Sequence, residues 1–351
     1  MPMKLQEYVN LSQLTTIQLG GPARYLVECS SIEELIEAIE FAETKRLNWI
    51  VIGGGSNIVF PDRGYDGLIL KMGLRGKVFE GDGYIVHASI AAGESWDDFV
   101  KFCVEEELAG VECLSGIPGL VGATPIQNVG AYGQEVSETI EEVTVLECST
   151  KDVLKFSGEE CGFGYRTSRF KHVDRGRFII INVRFALRKF GAPVIKYPEL
   201  KDLIESGRRE TKINLSLVRS AVLALRKKKS MVLDPGDPNS KSVGSFFVNP
   251  LLDENQFRTF MERADELGVS EKVPIFAVEG GVKLSAAWLV ENAGFHRGFR
   301  KGGVGISANH ALALVNFGGT ASELIGLAQE IQEKVLNIFG IKLEIEPLIF
   351  E

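Results

Sequence analysis

The side chains best suited to chemistry in this chain are spread over most of its length. Tyr165 and Arg166 lie in Glu160–Phe170, ECGFGYRTSRF, between glycines and a second arginine, in a stretch too irregular for a regular strand. A guanidinium there suits a carboxylate or phosphate; the competing reading is a structural ion-pair arginine. Ser245 stands between a glycine and two phenylalanines in Val243–Pro250, VGSFFVNP. It is no nucleophile elbow, because G-x-S-x-G is absent and no histidine is placed to activate it, so taken alone it is an ordinary strand residue. Near the end of the chain, Glu344 and Glu346 share one face of an alternating segment, where an exposed strand would use them only for solubility.

A basic cluster, Arg226-Lys227-Lys228-Lys229, ends the helix expected over Leu215–Lys229. Such clusters commonly compensate the helix dipole. This one also precedes a proline-broken loop, SMVLDPGDPNSKS, that delivers the Ser245 stretch.

Two glycine-rich stretches could hold a large ligand against these groups. In Ser115–Gly133, SGIPGLVGATPIQNVGAYG, glycines and prolines exclude a helix or central strand, yet Ile117, Leu120, Val121, Ile126 and Val129 are too apolar for a free linker. The other, Gly53-Gly54-Gly55-Ser56-Asn57, follows the apolar run Trp49–Ile52 directly. Successive glycines let the backbone approach a ligand and present N–H groups to it, with Gln127 and Asn128 adding amides. Either loop alone reads equally well as a tight turn; together they favour a binding site. The Rossmann fingerprint is absent, since Gly53-Gly54-Gly55 runs into Ile58-Val59-Phe60 rather than opening a helix.

GGGSN after a strand, followed by IPGLVGATPIQNVGAYGQEV, resembles the two FAD-embracing loops of the UDP-N-acetylenolpyruvoylglucosamine reductase (MurB) family of peptidoglycan synthesis, and the likeness spans nearly the whole chain. Thr124 stands where the family commonly has alanine. The resemblance implies an α+β fold: a two-lobed FAD-binding domain of the vanillyl-alcohol oxidase-like (PCMH) type plus a C-terminal α/β substrate domain. It implies an FAD domain over 1–190 with lobes at about 1–70 and 71–190, a linker and lid over 191–214, a substrate domain over 215–340, and a C-terminal strand, 341–351, returning to the active site.

The family's activity is NADPH-dependent reduction of UDP-N-acetylglucosamine enolpyruvate to UDP-N-acetylmuramate. Noncovalent FAD is expected, because no histidine lies in either loop. By resemblance the cofactor would rest on Gly53, Gly54, Gly55, Ser56 and Asn57, then on Ser115, Ile117, Pro118, Gly119, Gly122, Ala123, Gln127, Asn128, Gly130, Ala131, Tyr132 and Gly133. Arg166 would contact the enolpyruvyl carboxylate beside Tyr165, and Ser245 of the GSFF-x-NP motif would donate the proton. Glu346, taken over Glu344, would be the catalytic carboxylate. Tyr197, in YPEL, matches the substrate-covering tyrosine of the longer-chain type; a packed or turn tyrosine is the competing account. Arg226 and Lys229 match an arginine and a lysine three residues apart, with Lys229 reaching the diphosphate or carboxylate. Asn249 and Glu291 complete the substrate set.

A flavin oxidase of an alcohol or aldonolactone would share the N-terminal fold but lack the Tyr-Arg, GSFF-x-NP and terminal-glutamate set. A noncatalytic sugar-nucleotide binding module would need no flavin loops.

Composition agrees with a globular chain. At 351 residues two or three domains are expected, and 45% hydrophobic with 25% charged residues places it among folded proteins. The net charge of −8 argues against a nucleic-acid surface. The sequence shows no apolar run of membrane-span length, and MPMKLQEYVN lacks a signal-peptide core, so a cytoplasmic protein, favoured as a monomer, is expected. Cys29, Cys103, Cys113, Cys148 and Cys161 lack metal-ligand spacing and read as packed thiols; with four scattered histidines, no metal site is expected.

The elements that must position these residues follow from periodicity. Helices are expected over Ile32–Lys45, Trp96–Glu107, Leu215–Lys229, Phe257–Leu267, Leu284–Ala293 and Ala321–Phe339, with Ser31 and Ser95 as caps. Alternating segments predict strands at Arg24–Glu28, Gly67–Met72, Lys77–Glu80, Tyr84–Ser89, Glu141–Cys148, Val153–Ser157, Phe178–Leu187, Ile275–Val278 and Ile341–Phe350.

Overall fold

The computed structural model describes residues 3–350 except 82, 207–212 and 279. Two compact units emerge: Met1–Val9, Ala23–Gly54 and Asp66–Val232 form the first, and Asn10–Pro22, Gly55–Tyr65 and Leu233–Glu351 the second. The segment after residue 190, through the helix Leu215–Lys228, thus packs with the first unit.

The first unit carries two larger sheets and a two-stranded antiparallel pair, Gly130–Ala131 with Gln134–Glu135. One runs in the order Gln6–Asn10, Pro22–Cys29, Tyr65–Met72, Asn48–Ile52, the last two strands parallel. The other runs Val153–Ser157, Ile140–Glu147, Phe178–Lys189, Ile85–Ala91, Lys77–Glu80, antiparallel throughout.

Helix α1, Ile32–Lys45, has the expected bounds because both ends are capped. The Ser31 hydroxyl accepts the Glu34 N–H, and Arg46 turns left-handed to close the last turn. Its face of Leu35, Ala38, Ile39 and Ala42 is buried, each large side chain contributing about 1.5–3 kcal/mol of transfer free energy. Helix α2, Trp96–Glu105, is capped by Ser95 and buries Trp96, Phe99, Val100 and Cys103. Phe185 joins Trp96 and Phe99 at ring-centroid distances of 6.0 and 5.0 Å. Helices α3, Pro198–Ser206, and α4, Leu215–Lys228, pair through Leu200 and Ile204 against Val218, Val222 and Leu225, with Cys113 in the same cluster.

The second unit has one core beneath α5, Glu254–Glu266, α6, Ala286–Asn292, and α7, Ala321–Phe339. Helix α6 starts two residues later than Leu284 because Ser285 is its cap, accepting the Trp288 N–H. The sheet order is Ser242–Ser245, Ala313–Asn316, Val304–Ile306, Arg300–Lys301, and a second sheet joins Leu251–Leu252, Gly281–Leu284 and Ile275–Val278. The Asp62 carboxylate, from far upstream, accepts the N–H groups of Ala321 and Ser322 and the Ser322 hydroxyl, so it caps α7 beside Thr320. Those bonds outweigh partial burial and hold its carboxyl below the usual range.

The alternating terminal segment Ile341–Phe350, interrupted at Pro347 as its sequence suggests, forms only short pairings. The Gln332 side chain takes the Leu343 carbonyl at 2.7 Å, and Pro347 has no N–H, so pairing is limited to one bridge, Phe247 to Ile345, and a parallel pair, Leu348–Ile349 with Ile58–Val59. Among the described residues no helix is long and apolar enough to cross a membrane.

Candidate active site

In the first unit the strand Asn48–Ile52 delivers Gly53 and Gly54 to the long glycine stretch. A Cβ on Gly54 would stand 2.9 Å from the Gly119 Cα, closer than carbon atoms approach, so only glycine lets these two loops meet. The long loop begins under tight control. The Ser115 hydroxyl donates to the Glu112 carbonyl at 2.6 Å, the Gly116 N–H donates to Asp97 Oδ1 at 2.5 Å, and the Trp96 N–H donates to the Gly119 carbonyl at 3.1 Å. Its first turn is therefore stapled to the start of α2.

Farther along, Asn128 is buried in a left-handed conformation, φ +48°. Its Nδ2 donates to Glu135 Oε2 at 2.6 Å and to the Gly164 carbonyl at 3.0 Å, and its Oδ1 accepts the Ser137 N–H. The Asn128 amide thus shapes the loop and ties it to the Tyr165-Arg166 turn.

Arg166 occupies that turn at φ +54°, between reciprocal backbone bonds of Gly164 and Thr167. Its Nη2 donates to the Gly130 carbonyl at 2.7 Å, and its guanidinium lies 5.5 Å from the Tyr165 ring centroid. A Cβ on Gly130 would stand 2.8 Å from Glu135 Cγ and 3.1 Å from Arg166 Nη1, so a side chain there would press on both neighbours. Tyr132, at φ +51°, is the third non-glycine residue of this group held in the left-handed region. Each such residue costs about 1–3 kcal/mol, which the hydrogen bonds and packing around it must offset.

The α3–α4 pair brings three further expected residues, Tyr197, Arg226 and Lys229, to the same unit. The Tyr197 ring meets Tyr132 edge-on, centroids 5.4 Å apart, and burial pushes the Tyr132 hydroxyl up to about 12. Arg226 Nη2 donates to the Met231 carbonyl at 2.7 Å, while its Nε is buried without a hydrogen-bond partner. Burial lowers the Arg226 guanidinium below its ordinary value, opposed by Tyr132 and Asp97. Lys229 Nζ pairs with Glu199 Oε2 at 2.5 Å. Arg219, one helical face along, grips Asp97 with two bonds of 2.6 and 2.9 Å.

In the second unit Ser245 ends its strand after Gly244, which has φ +78°. The Glu346 N–H donates to the Phe246 carbonyl at 2.9 Å, and Val248 donates to the Glu344 carbonyl at 3.0 Å. Asn57, in the first glycine stretch, accepts the Leu348 N–H at 3.0 Å and directs Nδ2 to the Glu346 carbonyl at 3.5 Å. Asn249 Oδ1 accepts the Ala286 N–H, adding a bond at the start of α6. Glu291 is paired with Arg297 at 2.9 Å.

Residues 23–155 match a family model described as an FAD binding domain, and residues 237–350 match that of the UDP-N-acetylenolpyruvoylglucosamine reductase C-terminal domain. The Thermobifida fusca UDP-N-acetylenolpyruvoylglucosamine reductase is 45% identical over 97% of this chain and 96% of its own length. The chain belongs to the UDP-N-acetylenolpyruvoylglucosamine reductase family. The Streptomyces coelicolor member is 45% identical over 96% of this chain and 88% of that protein, and the Mycobacterium tuberculosis member 41% over 98% and 95%. The fold agrees with the crystal structure of the Thermus caldophilus enzyme, at TM-score 0.66 and 24% identity with full coverage of both chains.

For this family the glycine cradle fits FAD in kind. Two loops whose contact depends on bare backbone leave peptide groups, rather than side chains, to meet a flat cofactor. Asp97, Glu112 and Arg219 support this cradle and its neighbouring helices, Glu199 meets Lys229 across the α3–α4 pair, and none stands out in the sequence. Asp97 and Glu199 read there as first-turn acids of helices, and nothing local announces that Asp97 meets a residue 122 positions away. Burial alone would raise the Asp97 carboxyl, but Arg219 and the Gly116 N–H outweigh it and hold it below its usual range. The described cysteines are all free, four buried and Cys148 half-buried.

Proposed function

We propose that this protein reduces the enolpyruvyl double bond of UDP-N-acetylglucosamine enolpyruvate to give UDP-N-acetylmuramate, a cytoplasmic step in peptidoglycan precursor synthesis, with NADPH as hydride donor. The observation that carries the reading is Arg166, held against Gly130 of the long glycine loop by a 2.7 Å hydrogen bond. A fixed cation beside a cofactor loop suits a reaction in which negative charge develops on a carboxylated carbon. The near full-length identity to relatives bearing the reductase name supports the same conclusion.

FAD, when bound, supplies the relay of hydride from NADPH to C3 of the enol ether. Adding hydride there leaves negative charge spread from C2 into the carboxylate, which is the costly species. Arg166 offers that charge a guanidinium fixed before the reaction, and Glu346 offers a hydrogen bond when protonated; preorganised groups of this kind contribute several kcal/mol. Ser245 delivers the proton to C2. A serine hydroxyl is a weak acid, so this role requires a strongly basic carbon and a route for the hydroxyl to recover its proton. Tyr165, Tyr197, Arg226, Asn249 and Glu291 bind the remaining substrate, with Lys229 on the diphosphate.

The test is anaerobic reduction by NADPH followed by addition of the enolpyruvyl sugar nucleotide. Return of the oxidised absorption spectrum is the expected result. Protein that stays reduced with that substrate but is reoxidised by oxygen would instead be an oxidase, and colourless protein that takes up no FAD would be a binding module.

A further inference from the structure

We propose that Glu199 competes with the substrate's diphosphate for Lys229: it holds the ammonium until a diphosphate displaces it, and so sets the affinity for that group. The inference rests on the reading above that Lys229 meets the diphosphate.

The two charges come from opposite helix ends. Glu199 lies in the first turn of α3 and Lys229 caps the last turn of α4, so each already sits at the favourable end of its own helix dipole. Neither helix end needs the ion pair. Their contact at 2.5 Å is partly open to solvent, with side chains 39% and 27% exposed. An ion pair of this exposure is weak enough to exchange.

The same segment carries Tyr197 two residues upstream. The Val194 backbone anchors it, donating its N–H to Glu112 Oε1 at 2.8 Å and accepting the Cys113 thiol at 3.1 Å. Beyond that anchor Tyr197 meets Tyr132 edge-on and Glu199 holds Lys229, while Leu200 and Ile204 of α3 are buried against α4. Releasing Lys229 therefore frees the ammonium while α3 stays packed. A diphosphate brings more negative charge to the ammonium than one carboxylate does, whereas a nucleoside monophosphate brings less of an advantage. The cost of displacing Glu199 thus falls on the ligand that takes Lys229, the diphosphate, more than on a monophosphate.

Calorimetry with UDP and UMP on the FAD-loaded enzyme tests this. Glu199→Gln should bind UDP roughly two- to five-fold tighter, the range set by losing an exposed ion pair, and, because UMP gains less, its preference for UDP over UMP should widen. Glu199→Asp, with a shorter reach, should fall between, and serves if the glutamine variant folds poorly. NADPH reduction of the flavin should be unchanged in both. If Lys229→Met weakens UDP binding while neither Glu199 variant tightens it, Glu199 is only a structural partner and the inference fails with the functional reading intact. If Lys229→Met leaves UDP affinity unaltered, the diphosphate assignment of Lys229 falls, and this inference with it.

Discussion

Glu346 donates its backbone N–H to the carbonyl of Phe246 at 2.9 Å, which sets its backbone beside the residue next to Ser245. Glu344 lies instead beside Val248 and is exposed, whereas Glu346 is half-buried. Proton delivery depends on distances of about 3 Å, so the register separates two acids that look alike in sequence. Glu346→Gln should slow reoxidation of the reduced enzyme by the enolpyruvyl substrate by about 100-fold or more, a typical cost for one acid–base or electrostatic group. Glu344→Gln should leave that rate within about two-fold, since surface substitutions away from such features are nearly neutral. Stopped-flow absorbance decides it; equal losses in the two variants would reject the assignment.

Ser245→Ala should still be reduced by NADPH at the normal rate. Its reoxidation by the sugar nucleotide should fall by roughly 10²–10⁴, the range for removing a positioned proton donor. Normal reoxidation would remove Ser245 from the mechanism.

Arg166 is held by backbone strain as well as by Gly130, so its geometry matters beyond its charge. Arg166→Lys keeps the charge but loses the planar fork that both reaches the Gly130 carbonyl and can pair with a carboxylate. Reoxidation by substrate should slow by about 10²-fold while flavin reduction is spared, measured in the same two half-reactions. A lysine variant with native rates would show that a point charge suffices.

Much of the scaffold was legible in the sequence because local rules and burial agree there. Helices α1 and α7 have the expected bounds, each with a capping serine or threonine and an unbroken apolar face. The terminal segment departs from its pattern because alternation at Ile341, Leu343 and Ile345 describes which side chains are buried, not which backbone groups find a partner; Gln332, 11 positions upstream on α7, takes the Leu343 carbonyl through tertiary packing. The glycine loops were visible as a pair, but not that Gly54 touches Gly119 or that Asn128 turns its amide inward. Those contacts join residues far apart in sequence, and no short-range pattern encodes them.

Gly54→Ala should cost the protein its cofactor before its fold. The new methyl would press on the Gly119 backbone, which cannot swing away as a flexible side chain would. The two glycine loops must then separate by a few tenths of an ångström or more. Purified variant should carry less FAD per protein, read from the ratio of visible to ultraviolet absorbance, while circular dichroism stays native. Full FAD content would show that the cradle tolerates the displacement.

Asp97 links acid sensitivity to the same cradle. Its carboxylate holds both Gly116 of the long loop and Arg219 of α4, and its folded-state pKa lies below the unfolded value near 3.9. A depressed carboxyl pKa stabilises the native state fully above the unfolded value and loses that contribution as pH falls through the folded one. The native protein should therefore lose stability steeply below about pH 4. Asp97→Asn should be less stable at neutral pH by about 1–2 kcal/mol, a charged hydrogen bond discounted for partial exposure, and its stability should change less between pH 5 and pH 3. Urea midpoints for both proteins across that interval give the comparison. Parallel acid limbs would mean that Asp97 does not titrate with unfolding, and that the grip on Gly116 and Arg219 adds nothing the loop and helix lack without it.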